Sequence, residues 1–95
     1  MNRYEFKAKA LDKIDNVFDK VEDLDEKKGE LEGKVKDKYE HQKMLLNQRK
    51  KELRAKFEEA KNATDENWDE AKAAFDRSLK HYKAGFAELG QLFEK

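Results

Sequence analysis

Apolar residues in the last third of the chain recur at steps of three and four, and this spacing restricts the fold more than any other feature. The stretch runs from Thr64 to Lys95. An α-helix brings residues three and four apart onto one face, so the pattern predicts a helix with a continuous apolar stripe. We expect this stripe to dock against other helices, and we call its large residues the docking stripe: Trp68, Phe75, Leu79, Tyr82, Phe86, Leu89 and Phe93.

Composition extends the helical prediction to the rest of the chain. Proline is absent, only four of the 95 residues are glycine, and strong helix formers dominate the remainder. A chain of this length forms at most one domain with a thin core. We therefore predict an all-α protein with a single helical domain over residues 1–95.

Two weak points divide the chain. The first is the charged segment 27–33, where we expect Gly29 to take a left-handed conformation after the lysines that end the first helix. The second is 62–66, where Thr64 can cap the next helix and acidic residues fill its first turns. The predicted helices cover about 3–28, 34–62 and 64–94.

The first two helices carry narrower apolar faces than the third. The first has a heptad-like row with two neighbours, and the second has a seam interrupted at Gln42 and Arg49. A flank of small residues on the third helix would let another helix approach closely. These sets are Tyr4, Leu11, Ile14, Phe18, Val21 and Leu24 with Phe6 and Val17; then Val35, Tyr39, Leu45, Leu46, Leu53, Phe57 and Ala60; then Ala71, Ala74, Ser78 and Gly85.

Two architectures fit these elements. If both weak points are turns, the chain folds as an antiparallel three-helix bundle, which we favour. If only 62–66 turns, the first helix is about 60 residues or roughly 90 Å long, and a coiled-coil helical hairpin must pair with another chain. Apolar rows spaced eleven residues apart stay in phase across 62–66, which leaves a continuous helix open there as well.

Charge is balanced overall but unevenly distributed. The chain has 22 basic and 22 acidic residues, with net charges of −3 over residues 1–33, +5 over 34–62 and −2 over 63–95. The basic middle predicts a polyanion contact at Lys43, Arg49, Lys50, Lys51 and Arg54. The zero net charge and the lack of an aromatic residue within the cluster argue against nucleic acid, so an internally paired or solvated face is the simpler interpretation.

The sequence contains few residues of the types that act in catalysis. There is no cysteine, no glycine-rich phosphate loop and one serine, Ser78, and the two histidines, His41 and His81, lack the spacing of a bundle metal site. We predict no enzyme activity, cofactor, metal or small-molecule substrate. No apolar segment approaches the roughly 20 residues that span a bilayer, and we expect a soluble, cytoplasmic protein.

The run from Tyr39 to Ser78, with Tyr4 and residues 11–15, resembles small bacterial coiled-coil proteins of a cyanobacterial-type stress-response family. The matching positions are Tyr39, Leu53, Trp68, Lys72 and Phe86, whereas the two central glycines and the aromatic C-terminus depart from the family pattern. The resemblance implies an association with stress and no catalytic residues. We predict a non-enzymatic helical protein that acts through protein–protein contacts, including self-association, or in a structural stress role. The alternative is a binder of nucleic acid or anionic surfaces through residues 43–56.

Overall fold

A computed structural model describes residues 2–94, and these form three helices. They are α1 (Arg3–Glu26), α2 (Gly33–Lys61) and α3 (Trp68–Gln91), with a short 3-10 turn at Lys28–Glu30. The described part of the chain contains no strand. The prediction of an all-α fold is confirmed. The N-terminus of α1 is capped by Asn2, whose side chain accepts a hydrogen bond from the Glu5 amide at 2.8 Å.

The first predicted turn is present, but Gly33 and not Gly29 takes the left-handed conformation. The chain leaves α1 at Glu26, passes through the 3-10 turn and enters α2 at Gly33, whose φ of +60° is the only positive φ in residues 2–94. Gly29 lies inside the 3-10 turn without a left-handed φ, so that prediction was wrong. Gly33 can adopt the left-handed conformation because it has no Cβ.

The second turn is also present and excludes a continuous helix through 62–66. α2 ends at Lys61, and α3 begins at Trp68, four residues later than predicted. The Thr64 side chain does not cap α3; the Thr64 carbonyl instead accepts the Asn67 amide at 3.1 Å in a turn. Ala63, between the two helices, is buried. Asp69 and Glu70 do occupy the first turn of α3, as predicted.

The docking stripe forms the centre of the core, and its partners belong to the same chain. Phe75, Leu79, Tyr82 and Leu89 are buried, and the other three members are partly buried against them. The Phe75 ring lies 5.2 Å from Phe6 of α1 and 6.0 Å from Phe57 of α2, measured between centroids. α3 therefore packs against both other helices at once.

Contacts at the helix ends establish an up-down-up order. Arg3 at the start of α1 bonds to Asp65 just before α3, and Tyr39 near the start of α2 bonds to Asp25 at the end of α1. α1 and α3 are thus parallel, and α2 runs antiparallel to both. The bundle is elongated, with Cα dimensions of 51 × 18 × 17 Å. Within residues 2–94, no helix has the length and apolarity that a bilayer crossing requires.

The apolar face of α1 differs from the predicted heptad row. Its buried residues are Phe6, Ala10, Ile14, Val17 and Val21, whereas Tyr4 is 84% exposed and Leu11 is 40% exposed. A helix turns about 100° per residue, so Tyr4 points away from a core that is centred on Phe6, two residues later. In α2 the same geometry leaves Val35 and Leu45 exposed, while Tyr39, Leu46, Leu53, Phe57 and Ala60 are buried.

The predicted close approach to the small-residue flank of α3 is made by α2. A Cβ atom placed on Gly85 would lie 2.7 Å from Arg49 Nη1 and 2.9 Å from Leu46 Cδ1. The α2 and α3 backbones pack more closely together than either packs against α1. Aromatic side chains pack between α1 and α3, whereas the glycine at position 85 lies at the contact between α2 and α3.

Candidate functional site

The five basic residues predicted as polyanion contacts lie on α2, but they point in different directions. Lys43 faces α1, with its Nζ atom 3.5 Å from Asp25 Oδ1. Arg49 faces α3 and donates from Nη1 to the His81 carbonyl at 3.1 Å. These two residues make contacts within the chain, and Lys51 is exposed.

Lys50 and Arg54 converge on one aromatic ring. The Lys50 Nζ atom lies 4.6 Å from the centroid of Phe18, and the Arg54 Cζ atom lies 5.5 Å from it. A cation within about 6 Å of a ring face is attracted by the ring quadrupole. The sequence cluster contains no aromatic residue, and the structure supplies one from α1. Sequence reasoning had placed Phe18 in the core, so this pairing was missed.

The ion pairs in residues 2–94 leave Lys50 and Arg54 without a carboxylate partner. Asp25 pairs with Lys28 and Lys43, and Arg3 pairs with Asp65 at 2.6 Å. The other pairs join residues three apart within α2: Lys56 with Glu59, and Glu58 with Lys61. Both cations over Phe18 are therefore able to meet an external anion.

An exposed apolar row extends from this cation pair along α1. Tyr4, Leu11 and Phe18 are spaced by seven residues, so they lie on nearly the same side of the helix. Phe18 is partly buried beside α2, and the exposure rises through Leu11 to Tyr4. We call these three residues together with Lys50 and Arg54 the α1–α2 surface. Two cations border the apolar strip on its α2 side, whereas Asp15 and Glu22 lie one helical turn from Leu11 and Phe18 on α1.

A buried tyrosine fastens the other end of the same helix pair. The Tyr39 hydroxyl donates to Asp25 Oδ1 at 2.6 Å, and Tyr39 is only 1% exposed. This hydrogen bond has the largest effect and lowers the pKa of Asp25. Burial, the next in size, opposes it, and the charges of Lys43 and then Lys28 lower the pKa again. Burial, followed by the contact with Asp25, raises the pKa of Tyr39. The hydrogen bond between Tyr39 and Asp25 joins the end of α1 to α2. Its proton stays on the Tyr39 hydroxyl.

Tyr82 lies beneath the α1–α2 surface. Its ring centroid is 5.3 Å from that of Phe18. Burial raises the pKa of Tyr82 to about 12, although the charge of Arg54 acts in the opposite direction. The phenol is thus neutral at physiological pH and contributes packing to the floor of the surface.

Two open grooves between α2 and α3 are lined by residues of both charges. One, of about 580 Å³, includes Lys56, Glu59, Glu70 and Arg77. The other, of about 720 Å³, is lined by Asp37, Lys38, His41, Gln42, Glu88, Gln91 and Leu92. Across the described chain, no three histidine, cysteine or acidic side chains come together to hold a metal ion. Because each groove is lined by both acidic and basic side chains, neither indicates a particular class of ligand.

Comparison with protein-family models, with curated proteins and with solved structures found no match to this chain. The stress-response resemblance therefore stays a prediction.

Proposed function

We propose that this chain is a non-enzymatic helical binding protein whose α1–α2 surface takes an acidic amphipathic helix of a partner protein. The observation that supports this best is the exposed row of Tyr4 and Leu11, which leads to a ring covered by two cations without carboxylate partners. Tyrosine and arginine are also enriched among the residues that contribute most to protein–protein binding.

The length and spacing of the row suit a helical partner. Tyr4 and Phe18 are fourteen residues apart, which corresponds to about 21 Å along α1. An amphipathic helix of four turns presents apolar anchors over that distance at spacings of three, four and seven. The whole row lies on α1, so the partner helix would run beside α1.

Charge complementarity selects the kind of partner. Lys50 and Arg54 border the row from α2, and glutamate or aspartate side chains on the partner would pair with them. Such complementary charges increase association rates and reject wrong partners. In a twofold dimer of this chain, each residue of the surface would face a different residue of the second copy, so Lys50 and Arg54 would have to meet carboxylates such as Asp15 or Glu22 of that copy.

A designed peptide tests this proposal directly. The probe is an amphipathic helix of about 18 residues with leucine on one face and glutamate beside it. We expect the paired changes Tyr4→Ser and Leu11→Ser to weaken binding by about tenfold or more, because apolar burial is lost. Lys50→Gln and Arg54→Gln should weaken it and flatten its salt dependence. Calorimetric titration of each variant measures both effects.

The controls are other exposed apolar and basic residues on α2. Val35→Ser with Met44→Ser removes two exposed apolar side chains, and Lys34→Gln with Lys36→Gln removes two exposed charges. A peptide that binds equally well to the surface variants and to these controls contradicts the proposal. A leucine–lysine peptide of the same length must bind more weakly than the acidic peptide.

The second candidate is binding of nucleic acid or anionic surfaces through residues 43–56. The absence of ion-pair partners for Lys50, Lys51 and Arg54 within residues 2–94 favours it. Binding to duplex DNA or anionic vesicles should then fall steeply with salt and disappear in a Lys50→Glu, Lys51→Glu variant. If neither probe binds at low salt, this candidate is rejected.

The resemblance to stress-response proteins adds two proposals at the level of the cell. The protein would accumulate under stress, and it would act in the bacterial cytoplasm. Comparing its abundance in stressed and unstressed cells tests the first, and cell fractionation tests the second. These outcomes are independent of the peptide experiment.

A further inference from the structure

A groove between α1 and α3 lies on a different edge of α1 from the α1–α2 surface, and its only charged lining residues are lysines. Lys13 and Lys20 come from α1 and Lys83 from α3, and the groove has a volume of about 300 Å³. Asn16, Val17 and Phe86 complete its lining. We call it the lysine groove.

The helical periods of α1 explain how an acidic segment produces a basic groove. Lys9, Lys13, Asn16 and Lys20 follow one another at steps of four, three and four, so they share one edge of the helix. Carboxylates form a separate row at steps of three, four and three: Asp12, Asp15, Asp19 and Glu22. Residues 1–33 therefore have a net charge of −3 although one edge of α1 carries only lysines as charged residues. Only the packing of α3 beside that edge adds Lys83.

The three lysines are free to bind an anion. None of them makes an ion pair with a carboxylate of residues 2–94. The nearest carboxylates in the sequence are Asp12 and Asp19, each adjacent to a lysine of the groove, and Glu88, five residues after Lys83; none of them lines the groove. Three like charges around one small concavity create a positive potential that an anion would relieve.

The floor of the groove is apolar. Val17 is only 4% exposed and belongs to the core, and Phe86 is partly buried against it. A fully hydrated inorganic ion would use only the lysine rim. A ligand that carries an apolar group beside its charge would use the floor as well.

We propose that the lysine groove binds a small organic phosphate. The lysine ammonium groups would surround the phosphoryl oxygens, as lysine does at many phosphate sites, and the Asn16 amide can donate a further hydrogen bond. The apolar group would lie on Val17 and Phe86. A volume of about 300 Å³ is at the lower end for ligand pockets, which fits one phosphorylated ring or the headgroup end of a lipid.

Phenyl phosphate is the probe that tests this site, with inorganic phosphate and phenol as its separate parts. In a titration of the full chain at low salt, phenyl phosphate should bind more tightly than either part. It should also shift the NMR signals of the Val17 methyl groups and the Phe86 ring. Raising the salt concentration should weaken binding.

Matched variants assign the binding to the groove. The triple change Lys13→Gln, Lys20→Gln, Lys83→Gln should lower the affinity by at least about tenfold, because three charge-assisted contacts are lost. The charge-matched control is Lys34→Gln, Lys36→Gln, Lys38→Gln, which alters three exposed lysines at the start of α2. Asn16→Asp leaves every lysine in place but should also weaken binding, since it adds a negative charge to the lining. Melting curves confirm that each variant is folded.

The outcomes separate the proposal from its alternatives. Absence of binding at millimolar phenyl phosphate, or equal losses in both triple variants, overturns it. Vesicles that contain phosphatidic acid identify the source of the phosphate: groove-dependent vesicle binding assigns a lipid headgroup, whereas groove-dependent binding of the soluble probe alone assigns a free metabolite. Because this groove and the α1–α2 surface share no residue, the peptide experiment and this one fail independently.

Discussion

At the scale of single residues, Gly85 sets the distance between α2 and α3. Replacing glycine by alanine inside a helix normally stabilises it by about 1 kcal/mol. At Gly85 the added methyl group would meet Arg49, which can move, and Leu46, which is buried and cannot move freely. Overpacking of this kind costs about 1–3 kcal/mol. We therefore expect Gly85→Ala to lower the free energy of unfolding by about 1 kcal/mol.

Gly90 provides the matched control for that change. A Cβ atom at Gly90 would lie 3.9 Å from Leu24 Cδ1, which is an ordinary contact. Gly90→Ala should therefore raise the free energy of unfolding by about 0.5–1 kcal/mol. Urea denaturation of both variants measures the difference. Equal stabilisation by the two alanines would show that α2 and α3 do not meet closely at Gly85.

Asp25 provides a pH-dependent prediction at the same scale. Its pKa is below the usual 3.8, chiefly because Tyr39 donates a hydrogen bond to it, with Lys43 and Lys28 contributing as well. The folded state therefore gains stability from the ionised carboxylate above about pH 4 and loses this stability as the pH falls through the lowered pKa. We expect Asp25→Asn to be less stable than the parent at pH 6 and to lose less stability below pH 4. Asp23→Asn, an exposed carboxylate two residues earlier, is the control, and identical pH profiles for both variants would contradict the assignment.

At the scale of the helices, Phe75 should contribute most where α3 meets both neighbours. Its side chain is 1% exposed and packs edge-on against Phe6, with Phe57 close by. Phe75→Ala should cost about 3–5 kcal/mol, since it removes apolar burial and leaves a cavity. The control is Tyr4→Ala on α1, which should change the free energy of unfolding by less than about 0.5 kcal/mol. Thermal and urea melts compare the two, and similar melts would mean that Phe75 is not in the core.

The elements that were predictable from the sequence are those with a wide apolar face. Every position of the docking stripe lies in or against the core because its residues cover a broad sector of α3. α1 has a narrow face on which Tyr4 and Phe6 compete, and a difference of two residues rotates the helix by about 200°. The predicted row is correct at Ile14 and Val21, which are buried, and wrong at Tyr4 and Leu11, which are exposed. Ala10 was overlooked because alanine gives little hydrophobic signal, although it is buried.

The candidate sites depended on information that a single helix does not contain. The basic cluster of α2 could be predicted from the sequence. Which of its residues contact α1, contact α3 or face solvent depends on how the three helices are rotated and packed. Phe18 approaches Lys50 and Arg54 across 32 and 36 positions of the chain. The lysine groove likewise joins residues of α1 to Lys83 of α3. Segment charge alone could not reveal it, because both contributing segments are net acidic.

At the scale of the whole molecule, the acidic, basic and acidic segments contribute few direct ion pairs between helices. In residues 2–94, Asp25 with Lys43 joins α1 to α2, and Arg3 with Asp65 joins α1 to the turn before α3. Exposed pairs of this type contribute about 0–1 kcal/mol each. The segregation of charge therefore leaves most charged groups to the surface, and the apolar contacts of α3 hold the bundle together.

The unequal packing of the three helices predicts their order of opening. α2 and α3 pack closely over small residues, whereas α1 is held at a greater distance by aromatic side chains and fastened at its ends by Arg3 and Tyr39. Local opening is easiest where backbone approach is loosest, so the amides of α1 should exchange with solvent before the core amides of α2 and α3. Tyr39→Phe should speed exchange at the end of α1 more than in α3, because it removes the hydrogen bond to Asp25. Native-state hydrogen exchange by NMR measures this order, and equal protection of all three helices would show that the bundle opens as a single unit.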